Sequence, residues 1–406
     1  MQFYNTDHLP EDLAELSFAA NVARIMPNGE APLFAMSGLA QKKKALQIEH
    51  GFWTKTMQFG SVALSAGVTT AGQTTLTVAS TSTVTPNDVL RANSAFSGAN
   101  FVAPELMKVV SITSDTAMVV IRGFAGTVAK ATIASGVSFP VIGNAYPEGS
   151  PKPPSKAIIM SRQLNFTHIF RNAWSQSKTL AKVQTIVGNG NVAENKMDCS
   201  EFHSRDIELA TFFSRKSQGT DAATGQPIHT MSGIEELIQN NSPANIKEAG
   251  TTTSYTELLE MVDSSFDQRT NMMNGNNRVA YCGKHAINVI NEIGRLSGNY
   301  QVVDGQSSYG LRFKRVILPR GSLDLIEHPI FNTHPDWQKL MVIGELSSFD
   351  FAYLEGRDTE VTYINEDNKS TDGQDASGGV LTTELTIELQ NPFAWMFIYN
   401  LRAAAA

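Results

Sequence analysis

Two periodicities dominate the chain. From Asn195 to Gln218, Cys199, Phe202, Asp206, Leu209, Ala210 and Phe213 recur at three- and four-residue steps, which predicts a helix with one mostly apolar stripe. No proline or glycine interrupts this stretch before Gly219, the expected stop. Glu201 and Arg205, four apart, support the same helix. At 1.5 Å per residue it spans roughly 35 Å, long enough to act as a girder between several parts of a fold. Near the C-terminus the period becomes two. Leu381, Thr383, Leu385, Ile387 and Leu389 alternate with Thr382, Glu384, Thr386, Glu388 and Gln390. After Asn391-Pro392, Phe393, Trp395, Phe397, Tyr399 and Leu401 alternate again, predicting a hairpin or a bent pair locked into a sheet beside a strand at Leu164–His168.

Weaker patterns fill the remainder. Glu11–Ile25 reads as a short helix, ended by Pro27, Gly29 and Pro32. Between Lys55 and Asp88 no residue is charged. Strands are expected at Val89–Ala92, Glu105–Ile112 and Ala117–Arg122. With TTLTVAS before them they suggest a small barrel or folded ribbon with Leu76, Val78, Val89, Val109, Ile112, Val119 and Ile121 inside. Arg122–Thr127, RGFAGT, is a tight-turn signature without phosphate-loop spacing. Pro147, Pro151, Pro153 and Pro154 mark the clearest boundary. Beyond Gly219, Ser254 and Glu257 form a capping box, a second amphipathic helix covers Lys284–Leu296, and short strands interleave as far as Ile364, an α/β lobe.

Composition then narrows the function. A net charge of −7 over 406 residues argues against a dedicated duplex-DNA binder. The triplet Lys42, Lys43 and Lys44 reads as a solvated face or a nucleic-acid contact. Cys199 and Cys282 have no CxxC partner, so no disulfide framework or zinc site is expected. The N-terminus lacks signal-peptide blocks, and no run reaches the ~18 apolar residues of a membrane span. Among the histidines only His328 and His334 are close in sequence, in a proline-broken loop, and no HExxH motif occurs. Gly188–Gly190 is an incomplete dinucleotide fingerprint that reads as a turn. Asp367, Asp372 and Asp375 miss calcium-loop spacing and read as a solvated loop. No GxSxG elbow appears. No catalytic, cofactor-binding or metal residue is therefore assigned, and no enzyme is expected.

The order of parts is more specific than any motif. An arm, a β excursion, a long helix, an α/β lobe and a returning strand pair resemble the major capsid protein of tailed bacteriophages, the α+β Hong Kong 97-type fold. The stretches carrying the resemblance are Ala23–Phe34, Val119–Thr132, Ile142–Gly149, Leu164–Thr179, Arg205–Phe213 and Leu381–Pro392, which look like the subfamily with a small β-domain in its extended loop. The resemblance implies an N-arm at residues 1–50 and an extended loop at 51–150 with a small β-domain over about 72–126. It implies a peripheral domain at 151–231 and 376–406 with its spine helix at 195–218, and an axial domain at 232–375. It implies a subunit that self-assembles into hexameric and pentameric capsomers of an icosahedral shell. That shell encloses a double-stranded DNA genome contacted weakly on the inner face.

Portal and scaffolding or decoration proteins are the further partners implied, with no membrane, in a virion assembled in the host bacterial cytoplasm. Some members of the family crosslink a loop lysine, for which Lys130, Lys152 and Lys156 are available. The rival readings are an encapsulin-like nanocompartment shell and a soluble α/β enzyme. The apolar, extended flanks of the β-domain, Thr56–Ala71 and Thr127–Ala145, are expected to be covered by a neighbouring subunit.

Overall fold

The computed structural model describes residues 41–55, 60–92, 95–97, 100–153, 155, 160–182, 191–250, 252–268, 270, 276–297, 302–304, 314–364 and 375–402. The expected helix at Glu11–Ile25, the glycines at 188–190, Lys156, Asp367 and Asp372 lie outside them. The chain divides into two compact units, one at Trp53–Ser161 and the other formed by the chain on either side.

The Trp53–Ser161 unit is a small β-barrel. Its strands follow the order Ser61–Ala63, Ser138–Asn144, Asp88–Arg91, Leu106–Ser114, Ala117–Ile121, Thr75–Thr77. A bridge between Leu64 and Val78 joins the last strand to the first, supported by Ser65 N–H to Thr77 O at 3.0 Å and Ala79 N–H to Ala63 O at 2.9 Å. Closure removes the exposed edges that an open sheet would carry. Val62, Leu64, Leu76, Leu90, Met107, Val109, Met118, Val120 and Phe139 fill the interior.

Two expectations fail here. The flanks do not await a neighbour: Val62, Leu64, Val68, Ile133 and Phe139 are buried within their own unit, because strands 61–63 and 138–144 are needed to close the barrel. The interior residues also differ from those expected. Leu76, Val78, Val89 and Val109 are buried, but Ile112 and Ile121 are exposed and Val119 is half-buried. The ladder between Leu106–Ser114 and Ala117–Ile121 shifts register at Val110 and again at Thr113, and a one-residue shift reverses which side chains face inward. Met118 and Val120 take the inward places.

RGFAGT is the tight turn expected. Gly123, Ala125 and Gly126 all have positive φ, and a Cβ on Gly123 would meet Thr127 O at 2.7 Å. Buried Glu105 organises it. The carboxylate accepts from Arg122 Nε at 2.5 Å and Nη2 at 2.8 Å, and from the backbone N–H groups of Gly123 at 3.2 Å and Lys130 at 2.8 Å.

Among the described residues the other unit has two large sheets. In the first, Ala376–Leu389 pairs antiparallel with His168–Ser177 on one side and with Phe349–Leu354 and Glu360–Ile364 on the other. Gln41–Ala45 adds to the far edge of Phe349–Leu354, in parallel. The second sheet runs Ile246–Glu248, Met396–Tyr399, Met341–Gly344, Asn277–Cys282, Gly321–Glu327, Lys314–Leu318, Val302–Asp304. Of the two arrangements expected for the terminal strands, the hairpin does not form. A 3-10 turn at Pro392–Ala394 sends the chain from one sheet into the other, and the partner of Ala376–Leu389 is His168–Ser177, just beyond Leu164–Phe166. Trp395 anchors that passage, fully buried, with Nε1–H donating to Ser348 Oγ at 2.9 Å.

The long helix runs Asn191–Phe213 rather than 195–218. Tertiary contacts stop it early. Phe213 stacks on Trp337 with centroids 4.9 Å apart, and Gly233 presses on the last turn, its N–H donating to Ser214 O at 2.7 Å. Ser217–Thr220 then pairs with Pro227–Thr230 as a hairpin. The buried face is also rotated from the expected stripe: Cys199, His203, Ile207, Glu208, Thr211 and Phe212 are buried, while Phe202 is 51% exposed. In the capping box, Ser254 Oγ accepts from Glu257 N–H at 3.2 Å, but the Glu257 carboxylate turns to Gly250 N–H at 2.9 Å.

Candidate functional site

The chemistry-bearing side chains are used as joints between elements. On the side facing the first sheet, His203 Nδ1 lies 2.8 Å from Asn172 Oδ1 and Nε2 lies 2.7 Å from the Thr383 hydroxyl. Asn172 Nδ2–H donates to Asp206 Oδ2 at 3.1 Å, which fixes the amide with its oxygen toward the histidine. His203 Nδ1–H therefore donates to Asn172 Oδ1, and Nε2 contacts the Thr383 hydroxyl, which itself donates to Thr359 Oγ1 at 3.1 Å. Burial pushes the His203 pKa down, with Asp206 opposing. On the neighbouring strand His168 stacks on Phe170 at 4.2 Å, and burial lowers its pKa too.

A second joint ties the helix to the second sheet. His328 Nε2 lies 3.2 Å from Glu208 Oε1, both side chains fully buried, and His328 Nδ1 accepts from Ile330 N–H at 3.3 Å, capping the turn Pro329–Thr333. Phe212, Tyr281 and Phe331 ring the imidazole at 5.7, 5.9 and 4.8 Å. Burial and the Glu208 charge push the Tyr281 phenol well above its ordinary value.

Within the lysine triplet Lys42 and Lys44 lie on the solvated face expected, each beside a carboxylate, and Lys43 is half-buried. Lys42 pairs with Asp358 at 3.3 Å, Lys44 with Glu355 at 3.1 Å, and Lys43 bridges Asp350 at 2.7 Å and Glu388 at 2.6 Å. Burial alone would lower the Lys43 pKa, but the two carboxylates outweigh it and the pKa is raised.

The other sequence candidates separate. His328 is buried on Glu208, whereas His334 is exposed beside Asp336 at 3.7 Å. Asp375 pairs with Lys178 at 3.7 Å. Among the described residues no group of three His, Cys, Asp or Glu side chains is arranged to hold a metal, and no helix is long and apolar enough to cross a membrane. Cys199 and Cys282 are buried free thiols. Lys130 and Lys152, considered for crosslinking, lie in the Trp53–Ser161 unit, where Lys130 contributes its backbone N–H and carbonyl to the Glu105–Arg122 network. These joints escape a sequence reading because histidine, glutamate and threonine on a helix look like its wet face. The one available signal was that Cys199, His203 and Ile207 share a four-residue step.

Exposed apolar side chains remain on both units. In one, Leu46, Ile48 and Ile169 are exposed, with Thr167 N–H donating to Ile48 O at 2.8 Å. In the other, Val110, Ile112, Ile121 and Val128 are exposed on the barrel's outside.

Comparison with known proteins supplies the family. A model of the SU10 major capsid protein family matches residues 2–402. The major capsid protein of Pseudomonas phage PaMx41 is 32% identical over 413 aligned residues, covering 99% of this chain and 96% of the relative. Among solved structures, one from Mycobacterium phage Cain gives a TM-score of 0.47 at 8% identity, covering 96% of this chain and 93% of that chain. The holo-SrpI encapsulin complex from Synechococcus elongatus gives 0.43 at 10% identity, covering 61% and 81%. Scores below 0.5 at such identities decide nothing, and the assignment rests on the family and the sequence relative. Those two matches define the class, phage major capsid proteins, and within it the chain belongs to the SU10 major capsid protein family.

Proposed function

We propose that this chain is the repeating subunit of an icosahedral shell of Hong Kong 97 type, arranged in hexameric and pentameric capsomers around the double-stranded DNA of a tailed phage. The observation that carries the reading is coverage: the capsid family model matches residues 2–402. In this reading the protein acts structurally, without catalysis. The barrel at Trp53–Ser161 is the small domain of the extended loop, and Asn191–Phe213 is the spine of a peripheral domain. The second sheet forms the axial domain with its helices. Gln41–Ala45 ends the N-arm.

Two features favour assembly with copies of itself. Single exposed hydrophobes are ordinary on a monomer, but Leu46, Ile48 and Ile169 on one unit and Val110, Ile121 and Val128 on the other offer apolar contacts on both. A subunit with distinct contact patches makes heterologous contacts, which close into rings when the rotation permits. A net charge of −7 suits a container whose wall releases its genome, since tight DNA binding needs many lysine and arginine contacts to phosphate. Contacts with portal, scaffolding or decoration proteins, and assembly in the bacterial cytoplasm, complete the reading. Analytical ultracentrifugation of the purified chain tests it. Ring-sized or shell-sized species support the reading, and a monomer under all assembly conditions, including crowding and added scaffold, contradicts it.

A further inference from the structure

Gln41–Ala45 lies at the edge of its sheet, and apolar burial does little to hold it there: of its five side chains only Ala45 is buried. Its ladder is parallel in a sheet otherwise antiparallel. What it brings is charge. Asp350 and Glu388 stand directly opposite one another across the antiparallel ladder, 5% and 4% exposed. Like charges facing across a ladder repel, and each buried carboxylate has lost much of its hydration.

Lys43 is the cation placed between them, 2.7 Å from Asp350 Oδ2 and 2.6 Å from Glu388 Oε2. His50 Nε2 meets the other Glu388 oxygen, and Gln390 Nε2–H donates to Asp350 Oδ2 at 3.0 Å. Lys42 and Lys44 flank the strand with exposed pairs to Asp358 and Glu355, which water and salt screen. Lys42 also lies over the Tyr353 ring at 4.9 Å.

We propose that the outer edge of Phe349–Leu354, with the Asp350–Glu388 pair behind it, is a slot that recognises a lysine-centred extended strand. Gln41–Ala45 occupies it as a strap that docks and undocks without unfolding the rest of the unit. Backbone hydrogen bonds to a sheet edge supply attraction to any extended segment, and the side-chain pockets supply selection. Here the selecting pocket is the acid pair. An occupant without a cation at its centre leaves two buried carboxylates facing each other, and the slot rejects it. The strap therefore responds to charge, while the sheet beneath it, built on Phe349, Phe351, Leu385 and Ile387, is held by apolar packing and does not. This holds whether or not the chain builds a shell.

Hydrogen exchange on the full-length chain, followed by mass spectrometry, tests the proposal with three proteins: wild type, Lys43→Met, and Lys43→Met combined with Asp350→Asn and Glu388→Gln. Lys43→Met is expected to speed exchange at least tenfold at Gln41–Ala45 and at the amides of Phe349–Leu354 that face it, with those paired to Ala376–Leu389 and the helix Asn191–Phe213 unchanged. Neutralising the two acids in the same chain is expected to recover most of the lost protection. Adding 0.5 M sodium chloride is expected to loosen the wild-type strap and leave the triple variant as it was. Three results overturn the proposal: wild-type exchange in Lys43→Met, acceleration that spreads through the helix, or a triple variant no better protected than the single one.

Discussion

The barrel and the long helix bury comparable faces by opposite means. Inside the barrel the packed side chains are apolar, Leu76, Leu90, Met107, Met118 and Phe139 among them, and the buried Glu105–Arg122 pair belongs to the turn Arg122–Thr127. The helix turns His203, Glu208 and Thr211 inward and joins them to Asn172, Thr383, His328 and its own Ile207 carbonyl. An apolar interior tolerates changes of shape better than changes of polarity. A polar joint depends on protonation and on each partner being present.

The largest effects should come from emptying each core in turn. Phe139→Ala should cost the barrel about 3–5 kcal/mol, and Phe212→Ala should cost the other unit a similar ~3–5 kcal/mol. Hydrogen exchange should place each loss in its own unit; losses shared equally between them would mean that the two do not fold as separate bodies. Next, Glu105→Gln leaves the buried Arg122 charge without its counter-ion and should cost the barrel about 3 kcal/mol, read from denaturant midpoints at constant slope.

Acid should then separate the two regions. His168 and His203 have folded pKa values held below the ordinary 6.5, so their contribution is complete above about 6.5 and declines as pH falls below it. For Glu105, burial alone would raise the pKa, but Arg122 and the backbone N–H groups of Lys130 and Gly123 outweigh it and hold the value below the ordinary 4.5. Its contribution is present above about 4.5 and is lost as pH falls through the folded value. A pH series from 7.5 to 3.5 should therefore loosen the helix before the barrel, and the reverse order would undo the comparison. Smallest of all, Ile121→Ser on the barrel's outside should change subunit stability by less than about 0.5 kcal/mol.

How far these regions can be read from the residues follows from the same contrast. Strict alternation placed the terminal strand correctly because Leu385, Ile387 and Leu389 face one apolar layer. It missed that Phe397 and Tyr399 belong to a different sheet, since period two reports a strand but not its partner. The helix was visible as a helix, yet its stripe was misassigned: hydrophobicity favoured Phe202 over His203, and only tertiary partners make His203 the buried residue. In the barrel, a register shift invisible to periodicity exchanged Ile121 for Val120. The lysine triplet offered no hint of its carboxylates, because Asp350 and Glu388 lie over three hundred positions away. Family membership was legible at a coarser level, in the order of parts, which survives such local errors.

The central claim is that these joints hold a subunit built to repeat. Electron microscopy of the purified chain tests it most directly, under conditions that include crowding and added scaffold. The account predicts closed shells, or the hexameric and pentameric rings from which they are built. Uniform monomeric particles under every condition would contradict it.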